Sequence, residues 1–491
     1  MSEEINLASN DFQSIEGLNE ELAAKAKEQN STGDDDKTQN DRLTLANAAV
    51  DKGKKIIVFL VPIFASVIVN IIAGFFYISF LFVVQIVVSR AFDEDGDMVA
   101  KVQNTFRLFS ALAAASCAPL MIRYGFRKVA LGGSVLLIFS CISSSLTTTA
   151  DILAIPYGFM GGIALGLLRT TGVVATIDYL NTRPALALFI SYMSFIIGNI
   201  IGIIVIIFDL IQYLGSRRNW SNVMRVFEIT AVTGLLAGSF LQKNSQTQQN
   251  VPKVFKHPPF YFLIWIRIAA SIGLSILIPS AQTIPSERGF NTSLASTILY
   301  FVLFGTQLIV LIVLLIIRKF QRENLQKTAL LTMGILVLVI GLGTMVHQVA
   351  FVNVWVVGVF TLVLGTVIAF SQVIMPLALV HATGRSNLKL SLPILGCFEE
   401  VGGLVGGSSM AKILKETSSV NGALYFAGVS LIIAGVGAII AWVLIKRWPP
   451  LSDEPVAQAF VMGGDIAEDI ADNTGDDLGD DLGSGDTTGA Q

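Results

Sequence analysis

From Ile56 onward the chain is a succession of apolar runs separated by short polar breaks. Most of the runs are roughly 17 to 25 residues long, the length that carries an α-helix across a hydrocarbon core of about 30 Å. The pattern predicts twelve membrane spans, at 56–78, 103–122, 129–148, 152–175, 184–207, 226–241, 260–280, 294–317, 328–347, 353–378, 390–413 and 422–444. The sixth is the shortest, and the first runs on apolar to Val88.

The polar stretches divide the chain. Residues 1–55 are rich in Glu, Asp, Asn, Lys and Gln and hold no apolar core of a signal peptide, so they are expected to be a disordered cytosolic tail, with the first span as its own insertion signal. The break "LQKNSQTQQNVPKVFKHPP" separates six spans from six, which predicts a bundle over 56–241, a cytosolic linker over 242–259 and a second bundle over 260–447. Residues 448–491 form a second disordered tail, whose last 38 residues carry ten acidic side chains and no basic one.

Orientation follows from the basic residues of the loops. The loops after spans two, four, six, eight and ten contain Arg123, Arg127 and Lys128; Arg183; Lys243, Lys253 and Lys256; Arg318, Lys319, Arg322 and Lys327; and Arg385 with Lys389. These predict a cytosolic face, with both termini on it and the plasma membrane as the expected location. Arg217, Arg218 and Arg225 after span five and Lys412 and Lys415 after span eleven run against the trend. The sequons at Asn219 and Asn291 fall on the predicted outer side. The halves echo each other: "IRYGFRKVAL" follows span two and "IRKFQRENLQKTAL" follows span eight, pairing Arg123 and Arg127 with Arg318 and Arg322, the placement an internally duplicated transporter shows. These four arginines read as topology determinants and contacts of an inner gate.

Composition agrees with the pattern. At 53% hydrophobic, 14% charged and a mean hydropathy of +0.68, the chain is no water-soluble globule. It lacks a basic footprint for nucleic acid. Cys117, Cys141 and Cys397 form neither a CxxC pair nor a site with the three histidines, so no metal site and no disulfide framework are expected. Without a phosphate loop, a nucleophile elbow or a dinucleotide fingerprint, neither an enzyme nor a cofactor is expected.

An ionised group at mid-membrane costs about 2.5–3.5 kcal/mol on insertion scales, so each one is a candidate functional residue. Spans three, nine and twelve carry no charge in their interiors, and span six carries only Glu228 near its outer edge. The interior charges are Arg107 on span two near the outer mouth, Arg169 on four, Arg267 on seven, and Glu399 with Glu400 on eleven. Glu399 lies about 14 Å along its span at 1.5 Å per residue, which is mid-membrane. Adjacent helical residues diverge by about 100°, so one carboxylate is expected to face a cavity and the other a neighbouring helix. At least one is paired with an arginine or protonated. Two readings stay open: a fixed, structural acid, or a carboxyl that couples transport to a proton, with Glu399 and Glu400 as the candidates. Arg169 and Arg267, able to hold a carboxylate by two parallel bonds, are the candidate substrate-binding residues together with Glu399. Glycines four apart, such as Gly198 and Gly202, Gly402 and Gly406, or Gly403 and Gly407, predict close helix packing or a sliding contact.

These residues resemble a known family. "RYGFRKVAL" is similar to the loop between spans two and three of the major facilitator superfamily, with Ile122 where an acid or amide is usual. "YLNTRPALALFISYMSFIIG" resembles the fifth-span signature of the monocarboxylate transporter family, matching at Tyr179, Arg183, Leu186, Ala187 and Gly198 and departing at Phe189 and Ser194. "CFEEVGGLVGGSSMAKIL" resembles that family's eleventh span, with Glu399 on its usual glutamate, and of the first-span motif only "DKGKK" remains. The resemblance implies an all-α multispan membrane protein of twelve helices in two six-helix bundles, with spans three, six, nine and twelve outside a central cavity. It implies a secondary transporter or facilitator of a small organic anion such as a monocarboxylate, working in the lipid bilayer by alternating access, and a place for an accessory single-span subunit. The family's early lysine falls near Ile78, and its paired acid and arginine of span eight fall on Leu303 and Gln307, so classical proton coupling is expected to be weak or absent. The alternatives are a uniporter of amino acids or larger aromatic acids, and a transporter-like sensor that moves nothing.

Overall fold

The computed structural model describes residues 60–80, 96–147, 149–180, 183–213, 217–242, 257–287, 292–316, 323–346, 354–384, 387–417 and 419–447. Contacts divide the chain into two units, Met1–Phe64 and Ala65–Gln491. Of the first, only residues 60–64 are described, all of them helical. Every packing relation below concerns the second.

The described residues are nearly all helical. The elements are α1 (Leu60–Phe80), α2 (Gly96–Ser145), α3 (Ala150–Leu153), a π-helical turn (Ala154–Met160), α4 (Gly161–Tyr179), α5 (Pro184–Tyr213), α6 (Arg217–Ser239) and α7 (Pro258–Glu287). There follow α8 (Thr292–Ile316), α9 (Glu323–Met345), α10 (Val354–Thr383), α11 (Leu388–Thr417) and α12 (Asn421–Arg447). Within the described residues each predicted span falls on these helices, span four across α3, the π-helical turn and α4, though the predicted ends shift: α6 begins nine residues before the expected start of span six, and its first turn contains Asn219. Eight helices among the described residues are long and apolar enough to cross a membrane.

Spans two and three share one helical run of 50 residues, about 75 Å at 1.5 Å per residue and more than twice a hydrocarbon core. The run is broken at Gly125, whose φ of 80° suits a residue without a Cβ. The break reverses the chain. Gly166 of α4 packs against Ser110 while Ala164, two residues away, packs against Gly133, so two points 23 positions apart along α2 lie beside the same turn of α4. Arg123 and Arg127 are exposed on either side of this reversal, and Arg318 and Arg322 lie outside the described residues. A second left-handed glycine, Gly384 at φ 79°, caps α10 by donating its backbone N–H to Val380 O at 3.0 Å.

With lipid as solvent, helices associate through close packing and interhelical polar bonds rather than through a hydrophobic drive. Glycines supply the first. Gly74 of α1 lies against the Phe195 carbonyl of α5, and Gly198 of α5 against the Ile71 carbonyl of α1. Gly402 and Gly406 of α11 face the carbonyls of Ile268 and Ile272 on α7, so the four-residue spacing read from the sequence is a helix-packing seam. Polar bonds supply the second: Thr176 of α4 donates to Ser66 Oγ at 3.0 Å and accepts from Asn70 Nδ2 at 3.3 Å, both on α1. Lys389 of α11 pairs with Asp178 of α4 at 2.8 Å, both side chains largely sheltered from solvent.

Candidate functional site

The charged residues singled out in the sequence meet at one place. Arg169 of α4 reaches across to α11 and holds both carboxylates, Nη2 to Glu399 Oε1 at 3.1 Å and Nη1 to Glu400 Oε1 at 2.8 Å. Arg267 of α7 takes the other oxygen of Glu399, Nη2 to Oε2 at 2.6 Å. The expectation that the two glutamates would serve different surroundings is corrected here. Their backbones diverge, but a guanidinium offers nitrogens in a fixed fork and collects both side chains. Glu400 is the more buried, at 5% side-chain exposure against 17% for Glu399.

Supporting groups hold the cluster in position. The Arg169 guanidinium lies between two rings, its Cζ 5.3 Å from the Tyr77 centroid and 4.9 Å from that of Phe195. Each such contact contributes about 0.5–2 kcal/mol depending on desolvation. Gln372 of α10 accepts from Arg267 Nη2 at 2.9 Å and donates to Glu399 Oε1 at 3.3 Å, bridging cation and anion with one amide. Ser271, one turn along α7 from Arg267, donates to the Glu399 carbonyl at 2.5 Å. Gln372→Leu is therefore expected to lower the unfolding free energy by about 1–3 kcal/mol by leaving charged groups under-bonded, read as a lower melting temperature of the detergent-purified protein.

The cluster stands between two cavities. One of about 120 Å³ is lined by Tyr77, Arg107, Asn199, Tyr300, Gln307 and their neighbours. The other, about 50 Å³, opens toward Val173, Val174, Leu392 and Leu395, the helix ends where Asp178 and Lys389 pair. Arg169, Tyr192, Arg267, Glu399 and Glu400 line both. The ion cluster is thus a partition between them.

The sequence puts Arg107 near an outer mouth, and the structure brings it into the larger cavity, 7% exposed. One of its terminal nitrogens donates to the Gly403 carbonyl of α11, and its Nε has no hydrogen-bond partner. The second glycine pair explains how it fits: a Cβ on Gly403 or on Gly407 would come within 3.2 Å of Arg107 Nη1. Gly402 and Gly406 therefore seat α11 on α7, while Gly403 and Gly407 make room for a guanidinium from α2.

Sequence reading passed over Tyr77, Phe195, Asn199, Ser271 and Gln372. A helical stripe was the available signal. Tyr192, Phe195 and Asn199 recur at three and four residues on α5, as do Arg267, Ser271 and Ser275 at four on α7, and all line the larger cavity. Among the described residues, both cavities are lined only by α1, the first arm of α2, α4, α5, α7, α8, α10 and α11. The second arm of α2 and α6, α9 and α12 contribute nothing to them, as the interior charges anticipated. Ile78 and Gln307, which stand where the resembled family has a lysine and an arginine, also line the larger cavity, while Leu303 is buried and its carbonyl packs against Gly365 of α10.

No family model matches the sequence, and no curated protein sequence matches it. Solved structures do. The proton:xylose symporter XylE of the major facilitator superfamily, bound to 6-bromo-6-deoxy-D-glucose, aligns over 79% of this chain and 96% of its own at a TM-score of 0.64 and 15% sequence identity. At that identity the likeness concerns the backbone. The chain has the fold of the major facilitator superfamily, that of a multi-pass membrane protein with twelve transmembrane helices in two six-helix bundles.

Proposed function

We propose that the protein is a secondary transporter or facilitator of a small organic anion, a monocarboxylate or a compound of similar size and charge. The observation that carries this reading is the charge balance of the larger cavity: three guanidinium groups, Arg107, Arg169 and Arg267, against two carboxylates, Glu399 and Glu400. Arg169 and Arg267 are engaged by the glutamates, and among the described residues Arg107 is the third cation of the cavity, with no ion pair shown for it. A carboxylate beside Arg107 neutralises the site, with the unpartnered Nε of Arg107 and the amide of Asn199 in the same wall.

Alternating access follows from the bundles, 56–241 and 260–447, rocking about the partition. The Asp178–Lys389 pair then closes the side that the basic loops assign to the cytosol. Leu303, at the place of the resembled family's span-eight acid, cannot carry a proton, nor can Ile78 at the place of its lysine, and both glutamates are held as ion pairs, so transport runs with little or no proton coupling. A neutral sugar is the second reading, favoured by the amides of Asn199, Gln307 and Gln372 in the cavity wall and by the sugar symporter among its structural likenesses.

Uptake into proteoliposomes of purified protein, with radiolabelled acetate, lactate, pyruvate, benzoate, leucine and xylose at equal and unequal pH, tests it. The monocarboxylates are expected to enter, at rates that change less than about twofold when the exterior is made one pH unit more acidic. Xylose uptake without carboxylate uptake selects the second reading, and strong acid stimulation refutes the uncoupled one.

A further inference from the structure

We propose that the acidic run of residues 465–482, beyond α12, docks on the exposed basic turn between the two arms of α2 and straps the two bundles together on that side. The surface runs from Ile122 to Lys128. Ile122, Arg123, Tyr124, Arg127 and Lys128 are all exposed there, with the Arg123 Cζ 5.3 Å from the centroid of the Tyr124 ring. Among the described residues no ion pair is shown for any of the three cations, and the Asp178 carboxylate at the end of α4 is taken by Lys389. Three exposed positive charges beside two exposed apolar side chains suit an acidic partner that carries apolar residues at intervals.

The chain supplies one. Residues 465–482 hold eight acidic side chains and no basic one, with Ile466, Ile470, Leu478 and Leu482 at spacings of four and eight. They lie outside the described residues, but the helix that leads to them ends on the right side. Gly402 and Gly406 of α11 pack on Ile268 and Ile272 of α7, so these two helices run parallel. Gly273 of α7 meets Leu431 and Ala427 of α12 while Gly437 of α12 meets Ile266, so α12 runs the other way. Arg447 therefore emerges where α7 and α11 begin. The Lys389–Asp178 pair, and the rings of Tyr179 and Phe126 at 6.2 Å, put the turn of α2 on that same side. Asp465 follows Arg447 by 18 positions, a reach of up to about 60 Å or about five helix diameters.

The run is attached to the second bundle and the turn belongs to the first, so docking resists their separation on the side that the basic loops assign to the cytosol. Three exposed ion pairs of ordinary strength together favour the docked state by about tenfold. The docking rests on the fold, and its effect on flux rests on the transporter reading.

Carbodiimide, which joins a carboxylate to an amine without a spacer, tests the docking in the full chain held one copy per nanodisc of phosphatidylcholine. Cross-links between Lys128 and acids of 465–482 are expected by mass spectrometry, and they are expected to fade in about 0.5 M salt, where charges are screened beyond about 4 Å. In proteoliposomes of the same lipid, the variant with every Asp and Glu of 465–482 replaced by its amide is expected to take up the fastest-entering solute of the panel about tenfold faster than the parent. Absence of the Lys128 cross-link overturns the proposal. If the purified protein then retains phosphatidylserine in preference to phosphatidylcholine, the turn is a seat for anionic headgroups instead. Equal uptake by parent and variant overturns the strap and leaves the transporter reading intact. Should no solute of the panel enter, the transporter reading falls and the cross-link alone decides the docking.

Discussion

Arg169→Gln is expected to abolish uptake and to lower stability by about 3–5 kcal/mol, the cost of leaving buried charges without their partner. Arg169 is the one side chain bonded to both glutamates, and it joins α4 to α11 through bonds of 3.1 and 2.8 Å. Without it Glu400 loses the only ion-pair partner shown for it, and the two adjacent carboxylates repel each other across a site from which water is largely excluded. Only Arg267 then remains to hold Glu399. The double variant Arg169→Gln, Glu400→Gln removes one positive and one negative charge together and is expected to recover much of the stability but little of the transport. Melting of the detergent-purified proteins and uptake in proteoliposomes give the two readouts. A single variant that melts with the parent would mean that the cluster does not organise the site.

Gly198→Ala is expected to have the second largest effect, a loss of about 1–3 kcal/mol or more together with poor expression. A Cβ built there falls inside the contact distance of the Ile71 carbonyl and lies 2.8 Å from the backbone nitrogen of Phe75. Both neighbours are backbone atoms of α1, which cannot swing aside as a side chain does. α5 would have to move away from α1, and the reciprocal contact of Gly74 with the Phe195 carbonyl would open with it. Phe195 is one of the two rings on Arg169, so the disturbance reaches the cluster. Gly406→Ala, where the Ile272 carbonyl of α7 stands in the way, is expected to act similarly. Gly396→Ala is the control: nothing lies within 4 Å of its Cβ, and the residue lines the smaller cavity. Expression level and melting temperature of the three variants separate packing from composition. Equal behaviour would show that these contacts do not limit stability.

The superfamily fold of the resemblance stands as a fold, while the monocarboxylate family within it remains part of the proposed function. What separates the two is the kind of residue involved. Helix number follows from long apolar runs, which many sequences share. Substrate choice follows from a few cavity residues, and here Ile78 and Gln307 depart from the family at those places.

By itself the sequence determined that the chain crosses a membrane many times, because an apolar run of that length has no other low-energy place for its backbone and side chains. It also marked Arg169, Arg267, Glu399 and Glu400, because charge in such a run is costly enough to demand a reason. Only the tertiary structure decided how those charges pair. Arg169 and Glu399 are 230 positions apart, and no local pattern encodes which guanidinium meets which carboxylate. The same holds for Arg107, whose place in the cavity depends on two glycines of a helix 296 positions away that leave space for it. Periodicity along one helix fixes which face a residue takes, whereas the partner on that face is set by the packing of helices that sequence separation hides.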